Sequence, residues 1–308
     1  MKKDGFLQIS FSWLFAFIVG GFILFLAIYA AVKMINTSET EIDARIGKEI
    51  GILLNPLEIS FESEKTTSLT TPVTTRIINK CYPSGIFGEQ VIQIQQKSFN
   101  KWTNTNIDIG FSNKYIFSER QTEGKKFYVF LKPFEFPFKV ADLIFLSSAD
   151  KNYCFVDAPE QIKNKLTDLS QKNIFNEDDL KNCPESSIKV CFGTGNCNIK
   201  INQNANYVEK QNKRLYFETD ALMYAAIFAE PEIYECQVKR LMQRTSELAI
   251  LYKDKATFIA RTGCNSNLDL VSLSTLASGL EQSSQLTSLF QIVNKIGENN
   301  NDADCKLW

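Results

Sequence analysis

Eight cysteines and not one histidine limit the chemistry open to this chain of 308 residues. Without histidine, Ser-His-Asp and Cys-His nucleophile arrangements and HExxH zinc sites cannot be assembled, and no GxSxG elbow occurs. Carboxylates are the acid/base groups that remain. Glu218 with Asp220, Glu230 with Glu232 and Glu235, and Asp178 with Asp179 lie close enough in sequence to work in pairs. Each group falls beside an expected helix start, where the positive end of the helix dipole stabilises acids, so all three read as structural. There is no EF-hand loop. Gly193-Thr194-Gly195 has neither the lysine of a P-loop nor the third glycine of a dinucleotide fingerprint, and it reads as a turn. The expectation is a protein with no catalytic residue, metal site or cofactor.

The cysteines are Cys81, Cys154, Cys183, Cys191, Cys197, Cys236, Cys264 and Cys305, an even number with no CxxC pair. Three readings are open to them: an all-cysteine metal site, buried free thiols, or disulfides in an oxidising compartment. Disulfides outside the cytoplasm fit best. Spacing alone does not fix the pairing. Cys191 and Cys197 are candidates for closing a short loop, Cys236 and Cys264 for stapling helix ends to neighbours, and Cys305 for tying down the C-terminal tail.

The elements that must carry these residues begin with Gly5 to Val32, twenty-eight residues without a charged side chain. At about 1.5 Å of rise per residue, such a helix exceeds a hydrocarbon core of about 30 Å. It is too long for the apolar core of a signal peptide, and it leads into Lys33-Met34-Ile35 rather than a small-residue cleavage site. A retained anchor is expected, with the lipid bilayer as partner. Lys2 and Lys3 favour a cytoplasmic N-terminus. Ala16 and Gly20 form a small-xxx-small pair, and Gly20-Gly21 leaves a notch where another helix can approach, which permits homo- or hetero-assembly through the span. The net charge of -1 gives no electrostatic case for nucleic acid.

The opening segment resembles archaeal type IV pilin-like proteins. Lys2, Lys3 and Gly5 match a short basic leader, and Gln8 and Ser10 match a Gln-x-Ser-x-Glu motif that opens a long apolar helix. Ser12 stands where that family has the glutamate to which subunit registration is assigned, and Asp4 replaces the usual basic residue before the processing point. The resemblance covers about the first thirty residues. It implies processing between Gly5 and Phe6 and assembly through the apolar helix.

Beyond the span, Ser38 and Glu41 form a capping-box pair, and Ile42, Ile46, Ile50, Leu53, Leu54 and Leu57 recur at helical spacing, which predicts a restarted amphipathic stalk helix. Asn36 begins an N-x-S acceptor sequence. Short β-prone runs follow from Ile59 to Val156. The Ser/Thr run holding Pro72 is expected as an exposed loop or edge strand, Glu123-Gly124 as a turn, and Phe134 to Phe138 as core beside a bend or as an exposed aromatic platform. Asp157 is expected to cap a helix reaching about Lys172. Ile188 to Ile201 reads as a hairpin around a Gly-rich loop. Thr219-Asp220 opens one helix, Glu230-Pro231 a long one ending near Thr262-Gly263, and Leu276 to Ile296 another.

The expected fold class is α+β. Its parts are a basic cytoplasmic leader over 1–5, a transmembrane helix over 6–32, an amphipathic stalk over 33–57, a β-rich extracytoplasmic domain over 58–218, and a helical region over 219–308 packed on that domain and braced by disulfides. The expected role is structural or interactive at the cell surface, with a pilin-like or pilus-accessory subunit as its specific form. The alternative is a membrane-tethered ligand-binding or sensor domain.

Overall fold

In the computed structural model the first described element is one unbroken helix, α1, Phe11–Leu53. The structure describes residues 11–53, 66–98, 101–193, 195–261, 263–264, 266–303 and 305–308, with the side chains of 11, 34–53, 98 and 104–107 excepted. Every side chain from Ser12 to Lys33 is exposed. The expected restart at Ser38 does not occur, and Asn36 lies inside the helix rather than in a loop. A capping pair is only a permissive signal when the flanking residues can also continue a helix, and Thr37 to Glu41 do. The leader, Gly5 and Phe6, the end of the expected stalk and the run from Ile59 to Glu62 lie outside the described residues.

The chain divides into two units, Met1–Ile46 and Gly47–Trp308. The second is α+β. Its strands are β1 (Thr67–Tyr82), β2 (Glu89–Ser98), β3 (Lys101–Phe111), β4 (Tyr115–Phe117), β5 (Gln121–Glu135), β6 (Lys139–Ser148), β7 (Tyr153–Val156), β8 (Ile174–Glu177), β9 (Ile188–Phe192), β10 (Ile199–Asn202), β11 (Tyr207–Lys210) and β12 (Lys213–Tyr216). Its helices are α2 (Glu160–Asp168), α3 (Asp220–Phe228), α4 (Pro231–Ala260), α5 (Leu270–Ser278) and α6 (Leu286–Asp302).

One sheet has the order β3-β2-β1-β5-β6-β4, antiparallel except for β4 beside β6. The strand carrying Pro72 is therefore central rather than an edge or a loop. Pro72 is tolerated because it falls within the register shift between Thr70 and Thr75, where no ladder bond needs its missing N–H. Gly124 lies in this same stretch, inside β5 rather than in a turn.

The second sheet has the order β12-β11-β10-β9-β7-β8, parallel from β10 to β8 and antiparallel at β11 and β12. The expected hairpin between β9 and β10 is a parallel pair, with Ile199 opposite Val190. The Cys191–Cys197 disulfide draws the chain back alongside β9, so the next strand restarts upstream and runs the same way.

Helix α3 joins the two sheets. Its sequence from Ala221 to Phe228 is buried on every side, as its uniformly apolar composition requires. Phe228 is the common contact, against Phe130 and Phe145 of the first sheet and Tyr153 and Phe155 of the second. Thr219 caps α3 by accepting from the Leu222 N–H. Phe134, Phe136 and Phe138 are buried, with Phe138 against Tyr252 and Trp308, so this cluster is core and not an exposed platform. The long helix α4 buries Tyr234, Val238, Leu241, Thr245 and Ala249 on one stripe. The expected helix from Leu276 to Ile296 is broken at Gly279 into α5 and α6.

Candidate functional site

All eight cysteines are paired: Cys81–Cys236, Cys154–Cys183, Cys191–Cys197 and Cys264–Cys305. The first ties β1 to α4 and the last ties the end of α4 to the C-terminus. Among the described residues no cluster of three or more cysteine and acidic side chains is placed to hold a metal ion. The transmembrane packing candidates Ala16, Gly20 and Gly21 are exposed, with nothing within 4 Å of where a side chain would stand at either glycine.

Of the carboxylates read from sequence, Glu230 and Glu232 meet at Arg120, 3.6 Å and 3.9 Å away, and the others are held by separate partners. Asp178 pairs with Lys163 at 2.6 Å and that bond lowers its pKa, while Asp179 caps the turn Leu180–Asn182. Asp220 pairs with Lys165 at 2.7 Å. Glu218 accepts from Asn206 and Thr287, and Glu235 accepts from both the N–H and the hydroxyl of Ser283. Glu230 accepts from the Arg120 N–H, and Glu232 is held by Lys213, whose hydrogen bond lowers the Glu232 pKa. All but Asp179, whose contact is the local one to the Lys181 N–H, fasten one segment to another.

The site that does form is a cleft at the carboxyl ends of the parallel strands, which the sequence did not disclose. Strand β7 exits through Asp157, whose φ of 54° places an aspartate in the left-handed region before Pro159 caps α2. Asp157 thus turns the chain rather than capping the helix, and α2 ends at Asp168, short of Lys172. The Asp157 N–H donates to the Glu177 carbonyl at 3.1 Å, fixing the turn to the end of β8. Strand β9 exits through Gly193, with φ of 119°, whose N–H donates to Ile201. A Cβ at Gly195 would stand 3.2 Å from the Cys197 sulfur, a tight contact. Gly193 and Gly195 both line one side of a cleft.

The opposite wall comes from β10, β11 and the turn between them. Asn202 Oδ1 accepts from the Ala205 N–H at 3.0 Å and closes that turn. Lys200 stands directly across from Glu209, which also lies 3.9 Å from Arg214. Arg214 stacks over the Tyr207 ring. The resulting cleft has a volume of about 640 Å³ and is lined by Asp157, Phe192, Gly193, Lys200, Gln203, Asn204, Tyr207 and Glu209 among others. Lys200 and Glu209 also border a neighbouring depression of about 480 Å³ that holds Lys151, Glu119 and Lys210.

Lys210 is the one strongly perturbed base beside the cleft. Its Nζ donates to the Ile227 and Ala229 carbonyls, both at 2.9 Å, satisfying the C-terminal end of α3. Burial, only partly offset by Glu119, pulls its pKa down to about 8. With both contacts directed at backbone, its role is to fasten α3 to β11.

No protein-family model, curated protein or solved structure matches this chain.

Proposed function

We propose that the chain is a single-pass membrane protein, N-terminus inside, that displays its disulfide-braced α+β domain on the outer face of the cell in a structural or interaction role. The carrying observation is segregation along the chain. One helix with every side chain from Ser12 to Lys33 exposed precedes all eight cysteines, and all eight are oxidised in pairs. An apolar face of that length has no favourable state in water, and disulfides of this density are stable where thiols are not kept reduced.

A pilin-like or pilus-accessory subunit is the specific form of this reading. It is supported by the continuity of α1 through Leu53, well past what a bilayer needs, and by the open notch at Gly20-Gly21. The membrane-tethered binding domain is the second reading, favoured by the cleft at the ends of β7 and β9.

The test uses intact cells carrying the full chain. An impermeant amine-reactive reagent should label lysines of the domain, and alkylation after denaturation without reductant should tag none of the eight thiols. Eight reactive thiols, or lysines labelled only after lysis, overturn the proposal. N-terminal sequencing that finds Phe6 first, and filaments in the sheared fraction, would separate the pilin-like form from an intact anchor.

A further inference from the structure

We propose that the cleft at the carboxyl ends of β7 and β9 binds a short saccharide. This deepens the interaction role proposed above, and relies on it only for placing the ligand outside the cell.

Topology supplies the first argument. In the parallel part of the second sheet, β7 is followed through α2 by β8 on one side, whereas β9, on its other side, leads on to β10. The chain leaves two neighbouring strand ends in opposite directions, and this divergence opens a crevice beyond the carboxyl ends of the strands. The cleft lies there, with Asp157 and Pro159 from the end of β7 and Phe192 and Gly193 from the end of β9. Both exits use left-handed backbone, at Asp157 and Gly193. Glycine adopts such backbone freely and aspartate more readily than most residues, so both turns leave the strand ends at little cost. The volume of about 640 Å³ falls within the range of about 300–1,000 Å³ that small-molecule sites occupy.

Lining chemistry supplies the second argument. The cleft offers two carboxylates, Asp157 and Glu209, the amides of Gln203 and Asn204, one ammonium at Lys200, and the ring of Tyr207 beside the largely buried Phe192, while the Asn202 amide is engaged by the Ala205 N–H and the Tyr207 hydroxyl and Arg214 covers one face of the Tyr207 ring. Carboxylates and amides are planar groups with paired acceptors, or an acceptor beside a donor, and this spacing matches adjacent hydroxyls on a sugar ring. Aromatic walls suit the C–H faces of the same ring. An anionic ligand such as phosphate would meet two carboxylates against one lysine that already faces Glu209. An apolar ligand would strip water from all of these polar groups without replacing their hydrogen bonds. A neutral, hydroxyl-rich ligand satisfies both.

The test places the full chain in lipid nanodiscs free of glycoside detergent and measures saturation transfer to a panel of mono- to tetrasaccharides of hexoses, N-acetylhexosamines and uronic acids. At least one member should bind. The variants Asp157→Asn, which keeps a residue tolerant of left-handed backbone, and Glu209→Gln should each weaken it by about tenfold or more, as loss of a charge-assisted hydrogen bond does. Unfolding midpoints should stay unchanged. The proposal fails if no saccharide binds, if binding persists in both variants, or if inorganic phosphate binds and Lys200→Met abolishes it. Nanodisc binding is read without regard to membrane side, so this failure is distinguishable from a failure of the surface topology, which the labelling experiment reads.

Discussion

Arg240 fastens several segments of the domain at once. It is fully buried on α4, and its guanidinium donates to the carbonyls of Phe87, Phe111, Ser112 and Lys114 and to the Gln237 side chain, while stacking 5.0 Å from the Tyr115 ring centroid. Phe87 lies in the loop that enters β2, and Phe111, Ser112 and Lys114 lie at the end of β3 and in the loop that leaves it, so one planar fork holds both connections at once. Arg240→Leu should lower the unfolding free energy by about 3–5 kcal/mol, because the carbonyls stay buried without donors. Arg240→Lys should recover only part of that loss, since an ammonium cannot reach so many acceptors in one plane; urea unfolding measures both. Nothing in the sequence marks this residue, because all its partners but Gln237 and Tyr115 are backbone groups more than a hundred positions away. The absence of histidine, by contrast, is visible at once and removes whole classes of chemistry. Lys210 makes the stability of the domain depend on pH. Its folded pKa of about 8 lies below the ordinary 10.5, so the unfolded chain binds the extra proton between these values and stability contributed at this site rises with pH across them. That gain is lost as pH falls through about 8. Buried Tyr153 and Tyr234 act with the opposite sign, since burial raises their pKa and the unfolded chain ionises first near 10. The difference in unfolding midpoint between the natural chain and Lys210→Met should therefore change between pH 7 and 9.5, with the natural chain gaining on the variant as pH rises. A flat difference would refute the assignment.

Among the elements, those whose signal is local were legible and those shaped by distant covalent or backbone constraints were not. Helix α4 follows from its apolar spacing and from Pro231 at its start, and even Thr245 fits its buried stripe, because its hydroxyl donates to the Leu241 carbonyl one turn back. The parallel pairing of β9 and β10 could not be read, because a disulfide rather than a turn sequence returns the chain. Nor could the hairpin between β11 and β12, which turns on Gln211 and Asn212, both at positive φ, without the glycine that usually marks such a turn. The disulfides should differ in weight according to the loop each closes. Cys81–Cys236 spans a sequence separation of 155 and Cys191–Cys197 one of 6. On the chain-entropy account, replacing the first pair by serines should cost about 5 kcal/mol and the second about 2 kcal/mol, with denaturant midpoints ordered accordingly. Gly88 offers a check on the junction these elements share. At φ of 58°, a Cβ there would stand 2.5 Å from the Tyr82 carbonyl oxygen and 2.9 Å from Arg240 Cγ. Gly88→Ala should lose at least about 2 kcal/mol, through left-handed strain and displacement of the guanidinium together, and combining it with Arg240→Leu should give less than the sum.

At the scale of the whole molecule, the α+β class, the long N-terminal apolar helix and the use of cysteine in disulfides were all within reach of composition and periodicity. The cleft was not, because it arises from strand order, which depends on β9 and β10 pairing in parallel and on α2 carrying the chain back to β8. The proposed topology makes one prediction that joins the anchor to the oxidised domain although they share no residue. Phe22 and Ile23 lie near the centre of the Ser12–Lys33 segment and are exposed. An arginine at position 23 would face the middle of the bilayer, where insertion scales assign about 2.5–3.5 kcal/mol against it. A helix lying on a water-exposed protein surface would accept that charge at almost no cost. Ile23→Arg should therefore move much of the protein from the carbonate-resistant membrane fraction to the soluble one. The molecules that fail to insert remain in the reducing compartment, so the same fraction should carry reactive thiols at the eight cysteines while the inserted remainder carries none. Ile23→Val, equally apolar, should leave both measures unchanged. If the arginine variant stays fully membrane-bound and fully oxidised, the helix does not cross the bilayer and the proposed topology fails.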